Sequence, residues 1–509
     1  MYTRWQQGSN HEVQIVTLAR ELAVMAEQCT GRGTTGVAVA AAPLAAQIGS
    51  RVLSEGGNAY DAVVAMALVE GVVLPSKCGL GGDLVAIATA RGADPEALIA
   101  VGGAPAGLAA IVGSGEWSDT GPTSVGPPGA PAGLAALAAR GVRGIAALAA
   151  PAISLARDGF PWAEVCNDLS RQSRELVAKW NPGGTVFYPE GEPIATGAAV
   201  RLPGLANAIE NYARDPQGFL RGRVGAAIID TVARHGGVLA ADDLDDVRAE
   251  WSACATSVIR GNTVWATPAP TYGPTLLAAL RSAQPADDLA AEYSRFIAAM
   301  RANREALADP SGTSMISAAD ASGTVVTVIH SNSYPRFGSG LIVGEFDLIL
   351  NNRAGRGFTP IVGHPNYPEA GRRPATTLHA WAMRLDDGDF FSGATPGGAN
   401  QVPWNVQTIG QIIAGEREPG VLVTSPRWEW LPDDDGVRLE AGFDEARLEG
   451  ISSVAPRVVR ASRWATRAAQ QVIRLREGAV VVGAADPRTV GSAIGVNTVS
   501  VDNERKASS

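Results

Sequence analysis

Apolar positions recur at helical spacing through Pro43–Glu55, which stops at Gly56-Gly57, and again from Asn58 through Val69. Asn58 followed by Asp61 supplies an N-cap and a first-turn acid for the second of these helices. Glu12–Glu27 reads as a surface helix and Val37–Ala42 as a short strand, and Ala- and Gly-rich helices are expected up to about residue 240. The amphipathic stretch Asp287–Ala308 ends at the polar break Asp309-Pro310-Ser311. Past that break the helical period gives way to alternation: Thr313–Ala319 and Thr324–Ser331 predict two strands around a turn at Asp320–Gly323. Further strands are expected at Leu341–Val343, Leu348–Leu350 and Asp389–Ser392, and a helix over Val402–Ile413. Helices, then strands, then helices again imply a layered α/β protein whose sheet faces are covered by helices.

Composition narrows the function classes. A chain that is 46% hydrophobic and 18% charged is a packed globular protein. A net charge of -9 argues against binding a nucleic-acid backbone. Lysine occurs only at Lys77, Lys179 and Lys506, so nearly all positive charge is arginine, as expected of a GC-rich genome. Cys29, Cys78, Cys166 and Cys254 show no paired spacing and are expected as free thiols; the five histidines show no ligand spacing, so no metal or cofactor is expected. No apolar run suits a secretory signal or a membrane span, so a cytoplasmic protein without a membrane partner is expected.

Candidate chemistry starts at Thr313, a hydroxyl residue after a glycine, Gly312, at the mouth of the hairpin. A chain that cuts itself there exposes an N-terminal threonine whose hydroxyl is the nucleophile and whose own α-amine, titrating near pH ~7.7, is the base. With the turn at Asp320–Gly323, residue 319 pairs with 324 and 313 with 330; Thr313 then faces His330, with Ser331 diagonal and within hydrogen-bond reach. An ordinary hairpin gives the same pattern. The second feature is Pro396-Gly397-Gly398 between a strand and a helix, where successive glycine N–H groups can converge on an anion. No G-x-S-x-G elbow or Walker A sequence is present, and Gly79-Leu-Gly81-Gly82-Asp83 lacks the third glycine of a dinucleotide fingerprint.

Together these segments resemble the γ-glutamyltranspeptidase family of N-terminal nucleophile hydrolases. The resemblance runs from about residue 37 to 498 and rests on Pro43–Gln47, Gly56–Ala62, Gly79–Gly82, Gly126–Gly129, Ala152–Gly159, Phe337–Gly340, Asn351-Asn352 and Pro396–Gly398. It implies a four-layer αββα sandwich made as one precursor and cut between Gly312 and Thr313. The pieces would be a large subunit, 1–312, and a small subunit, 313–509, of 197 residues (509 − 312), together forming one domain. It implies Thr313 as nucleophile, Ser331 in place of a second threonine that orients it, and Gly397 and Gly398 as the oxyanion hole. Asn352, Thr376 and Thr377 fall at substrate-contacting positions.

Two departures bear on substrate. Val101 stands where the family has an arginine for the γ-glutamyl carboxylate, and Arg353-Ala-Gly-Arg356 stands where it has an acidic pair. An ammonium beside two guanidiniums is repelled, whereas a compact carboxylate or oxalyl group is held bidentately; arginines facing solvent is the competing reading. The resemblance therefore points to a small-molecule substrate and to hydrolysis of an oxalyl-type C–C bond with release of oxalate, as in the actinobacterial branch serving 4-alkyl-L-proline biosynthesis. The alternatives are an oxamate amidohydrolase-like amidase, a true γ-glutamyltransferase or glutathione hydrolase, and a non-catalytic binding or scaffold homologue.

Overall fold

The computed structural model describes residues 20–282, 288–302, 313–476, 478 and 480–497. The Asn58–Asp61 signal holds: each side chain bonds the other's backbone N–H, capping the helix Ala59–Val73. Pro43–Ser54 and Gln401–Ile413 are helices as expected. The expected helices at Glu12–Glu27 and Asp287–Ala308 are described from Arg20 and over Leu289–Ala302 respectively; their remaining residues lie outside the described ones.

Two seven-stranded antiparallel sheets form the middle of the molecule. The first runs Ser492–Val496, Gly36–Ala40, Ser314–Ala319, Val325–Ser331, Asp83–Thr89, Glu96–Ala100, Glu250–Ala253. The second runs Thr30–Gly33, Val481–Ala485, Gln471–Leu475, Phe390–Ala394, Trp381–Arg384, Asn262–Ala266, Ala255–Ile259. Val37, Val39, Val85, Ile87, Met315 and Ile329 of the first face Ala382, Phe390, Ile473 and Val481 of the second. The opposite face of the first sheet, with Leu84, Ala86, Ile316 and Val328, is covered by Ala59–Val73 and its neighbouring helices. Gly273–Ser282, Leu289–Ala302 and Gln401–Ile413 cover the other face of the second. The protein is a four-layer αββα sandwich.

Two expectations are corrected. Asp83–Thr89 and Glu96–Ala100 are strands within the segment expected to be helical. Both faces of their sheet are buried, so Leu-Val-Ala-Ile-Ala shows no polar alternation and reads like an Ala-rich helix. After Ile413 the chain is mainly strand rather than helix.

Candidate active site

The hairpin register differs by one residue from the expected one. Ala319 pairs with Val325 and Ser314 with His330. Asp320 accepts from the N–H of Gly323, and Gly323 takes φ +84°, so the turn holds one extra residue, Thr324. Thr313 therefore stands opposite Ser331, not His330. Its Oγ1 donates to Ser331 Oγ at 3.4 Å, a long contact between buried hydroxyls, and Ser331 Oγ also accepts the Ser333 N–H at 2.8 Å. Ser314 and His330 point the other way, toward the helices. Gly312, the other side of the expected scissile bond, lies outside the described residues.

Thr313 begins a row along the sheet end. Ser331 pairs with Asp83 on the next strand, and Leu84 pairs with Ala100, which brings Val101 beside Asp83. A surface cleft bounded by Gly103, Pro127, Gly371 and Arg373 opens at Val101.

The glycine loop reaches the same end from the second sheet. Thr327 and Ser392 hydroxyls meet between the sheets at 2.8 Å, and Gln471, paired with Ala394, donates to the Met315 carbonyl at 2.9 Å. Two residues further along, the first sheet reaches Thr313 and the second enters Thr395–Gly398. Gly397 takes φ +139°, and a Cβ on it would lie 2.1 Å from Trp404, so glycine is required. The N–H groups of Gly397 and Gly398 hydrogen-bond to no carbonyl outside this turn among the described residues. Gln401, with its amide nitrogen turned toward two carbonyls, links Thr377 O (3.0 Å) to Thr395 O (3.1 Å). Thr376 and Thr377 are buried; Thr376 N–H donates to Pro270 O, and His379 Nδ1 lies 2.8 Å from Thr377 O. Burial pushes the His379 imidazole down to about 4, so it is neutral and donates through Nδ1.

Both arginines have carboxylate partners. Arg353 is 1% exposed and its Nε donates to Asp83 Oδ2 at 2.9 Å, so it does not face solvent. Asp83 Oδ1 accepts the N–H groups of Gly102 and Gly129; burial raises its pKa and Arg353 opposes that shift. Arg356 pairs with Asp119 at 2.6 Å and sits 5.4 Å from the Tyr334 ring centroid. Asn352 is a staple as placed here: its Nδ2 donates to Asp119 O and Tyr334 O, while its buried Oδ1 has no hydrogen-bond partner among the described residues.

Sequence reasoning passed over several residues at this end. Asp83 was visible as the only charge in its glycine loop. Asn332, whose buried Oδ1 also lacks a partner among the described residues, follows Ser331 directly, and Arg336 lies a few residues further on. Arg336 makes no ion pair among the described residues and lies 5.2 Å from the Tyr334 ring; burial and Arg467 lower its pKa. Glu70, an acid in the apolar stretch that follows Asp61 in its helix, was the plainest missed signal.

The sequence model described as Gamma-glutamyltranspeptidase matches residues 45–311 and 283–496, which together span most of the chain. The chain belongs to the gamma-glutamyltranspeptidase family. It is an enzyme of the hydrolase class, like its family relatives. It is 28% identical to the oxamate amidohydrolase proenzyme of Klebsiella pneumoniae, covering 91% of this chain and 98% of that one. It is 25% identical to the glutathione hydrolase-like YwrD proenzyme of Bacillus subtilis, over 91% and 99%. The cephalosporin acylase of Bacillus halodurans superposes with a TM-score of 0.81 at 24% identity, over 92% of this chain and 97% of that one, and shares its fold. Among the described residues, no helix of this gamma-glutamyltranspeptidase homologue is long and apolar enough to cross a membrane.

Proposed function

We propose that this chain is a precursor that cuts itself between Gly312 and Thr313 into subunits 1–312 and 313–509, and that Thr313 then hydrolyses an oxalyl-type substrate. The observation that carries the reading is the row Thr313–Ser331–Asp83, with Arg353 buried on Asp83, where the family's acidic reader of an ammonium would stand. Thr313 Oγ1 adds to the C2 carbonyl of a 2-oxo acid, and the oxyanion rests on the Gly397 and Gly398 N–H groups. The C2–C3 bond breaks, C3 takes the proton held by the α-amine, and water frees oxalate from the ester. Arg353 and Arg356, with the nearby cation Arg336, favour a substrate carboxylate beside the reacting carbonyl. Asn352, Thr376 and Thr377 line its other side. On this reading the reaction serves 4-alkyl-L-proline biosynthesis. The similarity to an oxamate amidohydrolase favours a second reading, in which the same acyl-enzyme forms with loss of ammonia from an oxalyl amide.

Purified protein should run as two pieces, the smaller beginning Thr-Ser-Met-Ile, and Thr313→Ala should remain whole. The processed enzyme is then given 2,4-dioxopentanoate, oxamate and a γ-glutamyl anilide, with oxalate or aniline measured. Oxalate from the dioxo acid supports the C–C reading, and oxalate from oxamate supports the amidase. The anilide should be slower by on the order of a thousandfold, because an ammonium meets like charge. Ordinary anilide turnover would overturn the oxalyl assignment.

A further inference from the structure

We propose that Glu70 is a positioning residue for Thr313, acting from the back of the sheet through Ser314 and His330. The inference rests on Thr313 being the nucleophile, as proposed above. Glu70 is fully buried in the apolar helix Ala59–Val73. A carboxylate there is tolerated only when it is hydrogen-bonded on all sides. Its Oε1 accepts the N–H groups of Ala41 (2.8 Å) and Ala42 (3.1 Å). Its Oε2 accepts the Ser314 hydroxyl at 2.6 Å and lies 3.0 Å from His330 Nε2.

Those four partners sit at three strand ends. Ala41 and Ala42 follow the strand Gly36–Ala40, Ser314 follows the nucleophile, and His330 precedes Ser331. One carboxylate thus joins the strands on either side of Thr313 and fixes the register that sets Thr313 opposite Ser331. A one-residue slip of either strand turns Ser314 or His330 to the wrong face and breaks the clamp.

Its importance changes on cleavage. In the uncut chain Thr313 is held by backbone on both sides. In the cut chain it is a terminus, and termini fray unless tied down. Ser314 is then the first side chain that can tie it, and Glu70 is what it is tied to. The other titratable or charged groups near this point are His330, Cys78, Lys77 and Cys166 behind the sheet, with Arg336 and the Asp83–Arg353 pair at its end. Burial pushes both thiols up, Cys166 to about 12, so they stay protonated, and the carboxylate places negative charge behind the new α-amine.

The test uses Glu70→Gln, Ser314→Ala and the double variant. Each is followed for self-cleavage on a denaturing gel, for melting temperature, and for labelling of the processed enzyme by phenylmethanesulfonyl fluoride, read by intact mass of the piece that begins at Thr313. Self-cleavage should slow no more than about threefold, while labelling slows about tenfold in each single variant. The double variant should be no slower than the slower single one, since both remove the same link. The acid limb of the labelling rate should move to lower pH by about half a unit in Glu70→Gln, because removing a negative charge disfavours the neighbouring ammonium. In Ser314→Ala it should stay in place. Wild-type labelling rates and an unmoved limb in both single variants, whatever their melting temperatures, would overturn the clamp. Wild-type protein that neither cleaves nor labels at Thr313 would instead overturn the nucleophile assignment beneath it. Glu70, Cys78 and His330 also offer ligand atoms within 4.8 Å of one another. One equivalent of zinc in the purified protein, lost in Cys78→Ala, would replace the clamp with a metal site.

Discussion

A threonine hydroxyl is a weak nucleophile until its proton has somewhere to go and its oxygen is held in one direction. If Thr313 is the nucleophile, as proposed, Ser331 Oγ, facing Thr313 Oγ1, is placed to supply that direction. Replacing it with alanine should slow self-cleavage by about tenfold, the worth of one neutral hydrogen bond, and Ser331→Thr should restore the rate in a gel time course. Arg353 cannot be probed by simple removal. Losing it leaves the Asp83 carboxylate buried, so Arg353→Ala should destabilise the fold by about 3–5 kcal/mol in a denaturant titration. Arg353→Lys and Arg356→Ala are the informative variants, and in the latter oxalate inhibition should weaken roughly tenfold to a hundredfold. His379 carries a pH signature. Its pKa falls from 6.5 unfolded to about 4 folded, so above pH 6.5 neither state is protonated there. Between those values only the unfolded chain takes the proton, and stability should fall by on the order of 3 kcal/mol as pH drops through that window. His379→Gln should flatten the melting temperature over the same range. Thr313 and the two glycines could be singled out in the sequence as candidates because a nucleophile and an oxyanion hole need particular residue types. Asp83 and Glu70 were not assigned, because side-chain partners of theirs, Arg353 and Ser314, lie 270 and 244 residues away in the chain.

At the scale of elements, the hairpin that Thr313 opens shows what pattern alone leaves open. Its strands were placed to within a residue, but their register was set by a turn that holds one residue more than expected. Asp320 explains the turn. Its Oδ1 accepts from Ser322 and Thr324, and its Oδ2 accepts the Ala59 N–H at 2.9 Å, pinning the turn to the start of the Ala59–Val73 helix. A short loop does not announce such a contact. Asp320→Ala exposes no new surface but leaves a helix-terminal N–H buried and unbonded, which should cost about 1–3 kcal/mol. Denaturant midpoints in the uncleaved Thr313→Ala background would measure it. The strands Asp83–Thr89 and Glu96–Ala100 escaped notice for a related reason: alternation records one wet face, and these have none.

For the molecule as a whole, residue 313 is not a boundary. The first sheet takes four strands from before it and three from after; the second takes three and four. The strand Ser314–Ala319 lies between Gly36–Ala40 and Val325–Ser331, one from each side of residue 313. The two products of the proposed cleavage should therefore remain bound without a covalent link. Expressed separately, 1–312 and 313–509 should each lack a cooperative thermal transition by circular dichroism, and co-expression should restore one.

The row at the sheet end also acts as a ruler. Neighbouring strands stand ~4.8 Å apart, so each strand outward from Thr313 adds one graduation to the reach a substrate needs. Ser331 is the first mark, Asp83 the second and Val101 the third. A charged reader at the third mark suits an acyl group with a long spacer before its carboxylate. On the proposed function, Arg353, seated on Asp83, would move the reader one mark inward, one strand spacing closer to Thr313, and so favour a shorter molecule.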